Sequence, residues 1–173
     1  VTAWSGFVQN RFDFGRFTVT PGLRFEHVDY LRVDNLQGSR GTASVVEWIP
    51  GIGATFEAVP GTTVFAGVHR GFSPPGVADI ITPAGGTVAL DPEYSWNYEL
   101  GVRSDVSSGL YAEATLFRLD FENQIVPASV AGGTGAGLTS AGQTLQDGLE
   151  VAGNVESNGF VDWPVDVFGR LSW

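Results

Sequence analysis

The run "DPEYSWNYELGVRSD", from Asp91 to Asp105, limits the fold more than any other part of the chain. Trp96, Tyr98, Leu100 and Val102 alternate with Ser95, Asn97, Glu99, Gly101 and Arg103. A side-chain period of two belongs to a strand, so one face of this element is apolar and the other carries charge. The same alternation recurs. In "RFTVTPGLRFE", Phe17, Val19, Pro21, Leu23 and Phe25 oppose Thr18, Thr20, Gly22, Arg24 and Glu26. In "VVEWIPGIGATFEA", Val46, Trp48, Pro50, Ile52, Ala54 and Phe56 oppose Glu47, Gly51, Gly53, Thr55 and Glu57. The final run sets Val161, Trp163, Val165, Val167, Leu171 and Trp173 against Asp162, Asp166, Arg170 and Ser172.

Four further runs, "AWSGFVQNRFDF", "TTVFAGVHRGF", "LYAEATLFRLDFENQIV" and "TLQDGLEVAGNVE", are strands whose phase is open around Phe7, Phe65, Glu113 and Asp147. Bulges or glycine kinks shift phase at such places. The expected fold is therefore all-β: an antiparallel up-and-down meander of about eight long strands. Many exceed the ordinary strand length of about 5 to 6 residues, and a tilted strand crossing a bilayer needs about 9 to 11.

Connections alternate in length. Short turns are expected at Asp13 to Arg16, Val59 to Thr62, Val106 to Gly109 and Glu156 to Gly159. Long loops are expected at Asp34 to Ser44, Ser73 to Pro92 and Pro127 to Gln143. Short turns at one end and long loops at the other are the arrangement of outer-membrane barrels. Trp and Tyr near strand ends fit the headgroup level. A soluble sandwich, with the apolar face packed on a second sheet, is the competing arrangement.

Composition narrows the function. Only 16% of the 173 residues are charged, against about 25% in ordinary soluble domains, while 24 are glycine and 12% aromatic. A formal charge of −10 leaves no basic face to track phosphates, which excludes nucleic acid as a partner. Without cysteine there is no disulfide framework or thiolate metal site. No apolar run of about 18 residues is present, so a transmembrane helix is not expected. The chain opens on Val1 and contains no Met, as expected of a segment of a longer precursor.

The stretches "HRGFSPPG", "LDPEYSWNYELGVRSD", "GLYAEATLFRLDFENQIV" and "GQTLQDGLE" resemble the barrel of TonB-dependent outer-membrane receptors, in particular the siderophore and ferric dicitrate receptor group. The resemblance rests on Gly71, Phe72 and Pro75, leaving a strand for a surface loop. It continues with Pro92, Glu93, Ser95, Tyr98, Glu99, Gly101 and Arg103, then Gly109, Leu110, Phe117, Asp120, Asn123 and Ile125, and ends with Gly148 and Glu150. It is specific from Val45 to Val151; the flanks match only as generic strands. It implies a fragment of a roughly 22-stranded transmembrane β-barrel closed around a plug. Residues 1–173 would then be a partial barrel domain without the plug or the segment that engages TonB. The implied setting is the Gram-negative outer membrane, with lipid outside the wall. The implied activity is capture of a ferric chelate by outer loops, then plug rearrangement driven through TonB. No covalent chemistry, catalytic residue or cofactor is implied.

Arg24, Glu26, Glu47, Glu99, Arg103, Arg118 and Glu150 are read as a lumen network holding wall to plug, because buried charge persists only when paired. A catalytic carboxylate pair is the competing reading, and nothing singles out two of them. His27 and His69 are isolated, so no metal site is expected. "AGGTGAG" lacks the ending of a phosphate loop and reads as a surface loop. No nucleophile elbow exists. All nine basic residues are arginine, suited to carboxylate recognition. Arg32, Arg40 and Arg70 are the candidates for an anionic chelate, against a loop-stabilising role. A self-contained small outer-membrane barrel and a soluble carbohydrate-binding sandwich remain as alternatives.

Overall fold

The alternating runs form strands of a single sheet, with no second sheet among the described residues. The computed structural model describes residues 1–127, 129–130, 138–157 and 168–173. Its strands are β1 (Thr2–Gln9), β2 (Phe12–Phe14), β3 (Phe17–Asp34), β4 (Ser39–Val59) and β5 (Thr62–Ser73), then β6 (Glu93–Ser107), β7 (Leu110–Pro127), β8 (Leu138–Glu156) and β9 (Phe168–Ser172). A short helix, α1 (Val77–Ile80), lies between β5 and β6. The strands pair in chain order, all antiparallel, β1 and β2 both lying against β3. They are two pieces of one ribbon, which makes eight ribbons among the described residues.

One rung shows the division of faces. Phe17, Phe56, Val64, Val102, Ala114 and Val151 lie opposite one another in successive strands. The next rung is Thr18, Thr55, Phe65, Gly101, Thr115 and Glu150, on the other face. Because opposed residues share a face, the register settles every phase left open by the sequence. Phe7 faces with Arg24, Phe65 with Gly101, and Glu113 with Arg103, all on the polar side; Asp147 sits opposite Arg118 on the apolar side.

Among the described residues nothing covers the apolar face. Trp48 is 56% exposed, Leu100 53% and Leu116 56%. A sandwich would bury these side chains under its second sheet, so the soluble alternative is overturned. β1 and β9 do not pair with each other, and the sheet stays open among the described residues, which removes the self-contained barrel. Val161 to Val167, expected as part of the last strand, lie outside the described residues; Leu171 does fall on the apolar face, opposite Gly153.

The strands are staggered. The rung through Phe17, the first residue of β3, reaches β7 at Ala114, four residues beyond its start at Leu110. Four steps of pairing thus displace strand starts by four residues, about one per strand, as inclined strands in a barrel wall require.

Two prolines interrupt the ladder. The Asn10 amide donates to the Pro21 carbonyl at 3.1 Å, but Pro21 has no N–H to return the bond, and β1 and β2 are divided there without any change of register. Glu57 N donates to Arg16 O, so odd positions of β4 bond to β3 and even ones face β5. Pro50 therefore presents its missing donor to β5, and the β4–β5 pairing stops at Gly51 and His69. Above that rung β4 pairs only with β3, and β5 only with β6.

The turns at Gly15, Gly61 and Gly109 are tight, each with glycine in the left-handed region, and lie at one end of the sheet. At the other end residues 74–92 form the expected long loop. The connection expected at Asp34 to Ser44 is instead a four-residue turn, Asn35 to Gly38, between long strands that pair up to Asp34 and Ser39. Its polar, glycine-rich composition read as loop because both strands run on beyond the apolar band.

Candidate functional site

Among the described residues, the polar face and the loop above it bring together the charged side chains on which a solute site can be built. Arg24, Glu26, Glu47, Glu99, Arg103 and Glu150 all lie on this face, by register with Ile49, Glu47, Glu26, Phe117, Glu113 and Thr115. Arg118 does not. It sits opposite Asp147 on the apolar face, 3.8 Å from that carboxylate, both exposed. The expectation that Arg118 joins the lumen network is corrected by phase: the alternation through Leu116, Arg118 and Asp120 places it outward, where the apolar band gives way to charge.

Pairing among the inner charges is sparse. Arg24 binds Glu26 two residues along the same strand, and Arg11 binds Asp13 at 2.9 Å. Arg103 lies 5.9 Å from the Phe65 ring centroid and opposite Glu113. Glu99 and Glu150 are exposed on the open face. His69 is on this face between Gly51 and Asn97, whereas His27 is on the other and meets Asp29 at 3.0 Å. The two imidazoles cannot share an ion.

Residues 74–92 fold back over the polar face of β3 and β4. Ile81 is completely buried, and with Ile80 it packs on Val28 and Tyr30, flanked by Ala43, Val45 and Val77. Burying side chains of this size contributes about 1.5 to 3 kcal/mol each. Arg32 Nη1 donates to Ile81 O at 2.5 Å and Ala78 O at 3.4 Å, and the Ser39 hydroxyl donates to Pro83 O. Gly41 allows the approach: a Cβ there would lie 2.4 Å from Ile81 Cγ2 and 2.7 Å from Gly85 O. Within the loop, Ile81 bridges Thr87, and Val88 N donates to Ile80 O at 2.9 Å.

The three candidate arginines are not brought together. Arg32 is on the polar face and anchors the loop. Arg40 is in β4, not in a loop, opposite Val33 on the outward face. Arg70 lies opposite Trp96 on the outward face, its guanidinium 4.0 Å from the Tyr94 ring centroid. The Tyr94 hydroxyl in turn donates to Glu47 on β4.

Several residues that carried the family resemblance have structural work. Glu93 accepts the Ile125 amide at 2.8 Å. Asn123, with φ 55°, is the left-handed residue of a bulge where β7 slips between Phe121 and Gln124. Ser95 and Asn97 are buried and bonded to each other at 3.2 Å, with Asn97 Nδ2 also reaching His69 O at 3.4 Å. Tyr94 and Gly41 escaped the sequence reading. The one available signal was Pro50 inside a long strand, which marks a broken ladder.

The family described as TonB dependent receptor-like, beta-barrel matches residues 1–173. The iron-regulated outer membrane virulence protein of Vibrio cholerae O1, in two strains, is 30% identical over 135 residues, covering 72% of this chain and 19% of the relative. Among solved structures, the unliganded ferric citrate transporter FecA superposes with a TM-score of 0.74 at 23% identity, over 92% of this chain and 23% of that one. The ferric enterobactin receptor PfeA of Pseudomonas aeruginosa gives 0.69 at 21% identity, over 99% and 26%. The alcaligin receptor FauA of Bordetella pertussis gives 0.68 at 20%, over 98% and 30%.

The chain belongs to the TonB-dependent receptor β-barrel family, a family of receptors and transporters in the Gram-negative outer membrane. It spans about a fifth of the length of the curated relatives it matches, 19%. Its apolar face is accordingly the lipid side and its polar face the lumen side.

Proposed function

We propose that residues 1–173 are wall and extracellular loop of a receptor that takes up a ferric chelate, of siderophore or ferric citrate type. In this reading other residues supply the plug, TonB supplies the energy, and no covalent chemistry occurs. The observation that carries it is the placement of residues 74–92, a folded loop held over the mouth of a charged inner face. Iron-regulated and iron-transporting relatives support the cargo class. Exposed Glu99, Arg103 and Glu150 on the inner face suit pairing with a plug, since charges facing an enclosed lumen need partners.

Among the three arginines we assign chelate contact to Arg32 alone. It is on the inner face, and the loop uses only Nη1 of a group with five N–H donors. Arg40 and Arg70 face outward. The test is titration of ferric citrate, and of ferric enterobactin, against the full-length receptor in micelles. Arg32→Ala is expected to weaken whichever chelate binds by about tenfold, roughly 1.4 kcal/mol, with Arg40→Ala and Arg70→Ala unchanged. Radiolabelled iron uptake should vanish in cells lacking TonB; persistence would remove the transport reading.

A further inference from the structure

The wall divides above Pro50. On one side the hairpin of β3 and β4 pairs continuously up to Asp34 and Ser39; on the other, β5 and β6 pair up to Ser73 and Glu93. No rung joins β4 to β5 beyond Gly51 and His69. The cause is local, since Pro50 offers β5 no donor where the next bond is due.

The loop 74–92 belongs by chain to β5 and β6, which it connects. By packing it belongs to the other bank. Ile80, Ile81 and Val77 are seated on Val28, Tyr30, Ala43 and Val45, all of β3 and β4. Its polar anchors, Arg32 and Ser39, are on the same hairpin, and Gly85 lies against Gly41 and the Arg40 carbonyl. Across the opening, the Tyr94 hydroxyl donates to Glu47, with Arg70 stacked on the Tyr94 ring from its own bank.

We propose that the outer half of this wall is two bodies meeting at a seam. The loop 74–92 moves with the β3–β4 hairpin and not with the strands it connects, and the Tyr94–Glu47 hydrogen bond is the latch between the bodies. Packed units of this kind shift as rigid pieces between discrete arrangements, and short stems absorb the change. The stems at Pro74 to Gly76 and Asp91 to Pro92 are the backbone that joins the two bodies.

The experiment places spin labels on the full-length receptor in nanodiscs, in pairs drawn from Gln37→Cys at the hairpin tip, Ala84→Cys in the loop and Glu122→Cys on β7. Tyr94→Phe removes the hydroxyl and keeps the ring. The Gln37–Ala84 distance distribution should be the same with and without it. The Gln37–Glu122 and Ala84–Glu122 distributions should shift or broaden together, by more than about 2 Å. Should Tyr94→Phe fail to assemble, Glu47→Ala opens the same bond from the other side. The proposal fails if Ala84 holds its distance to Glu122 while departing from Gln37, or if neither cross-seam pair responds.

Discussion

The ring of Phe65 occupies the space that a side chain on Gly101 would need: a Cβ built there would lie 2.3 Å from Phe65 Cζ and 2.8 Å from the Ala114 carbonyl oxygen. The two residues face each other across β5 and β6 on the lumen side. Phe117 covers Gly148 in the same way, at 2.2 Å from its Cζ. Such aromatic cover restores the contact area a strand glycine lacks and makes register costly to change. Gly101→Ala is expected to destabilise the barrel by about 1 to 3 kcal/mol through overpacking. Phe65→Leu in the same chain should recover most of that loss, because the two sites couple. Urea unfolding of the full-length receptor in micelles measures both.

Leu100 and Glu99 are neighbours in sequence on opposite sides of the wall. An arginine introduced on the lipid side of a barrel costs about 2 to 4 kcal/mol near the bilayer midplane, falling toward the interfaces. Leu100→Arg should therefore lower the folding free energy into vesicles by an amount in that range. Glu99→Arg should change it by less than about 1 kcal/mol, because its side chain stays in the lumen.

Gly41 is where the loop touches the hairpin most closely. Gly41→Val would drive a branched side chain into Ile81 and the Gly85 carbonyl. The loop should lift while the strands persist. Protease cleavage within residues 77–90 is expected to accelerate at least about tenfold, since cleavage follows the open population, with cleavage elsewhere unchanged.

Asn123 holds a left-handed backbone, a conformation costing most side chains about 1 to 2 kcal/mol. Asn123→Gly should be neutral or nearly so. Asn123→Ala should lower stability by about 1 kcal/mol, and amide exchange at Ile125, the donor to Glu93, should rise with it.

Strand identity and facing were legible wherever alternation was unbroken, as from Ser95 to Arg103, because period two is a property of a single strand. Phe65 and Phe7 were not assignable alone. An aromatic residue on the lumen side makes sense only beside the glycine or arginine of the neighbouring strand. Arg118 misled for the converse reason: charge on the outward face marks the end of the apolar band, and the height of that limit depends on stagger between strands. The turn at Asn35 to Gly38 was hidden by polar strands continuing past the membrane. Pro21 and Pro50 were visible as apolar-face residues, while their effect lies in backbone donors that hydropathy does not report. Arg32 and Arg70 were legible as basic residues, but which side each faced, and that Arg32 ties down a loop, required the register.

Stagger of about one residue per strand carries a consequence for how the bilayer sees this surface. A plane drawn at one depth steps from each rung to the next as it passes from strand to strand, and adjacent rungs point in opposite directions. At any given depth only every second strand offers a lipid-facing side chain. A quencher tethered at a fixed position in the acyl chains would therefore sense alternate strands of this wall and skip those between them.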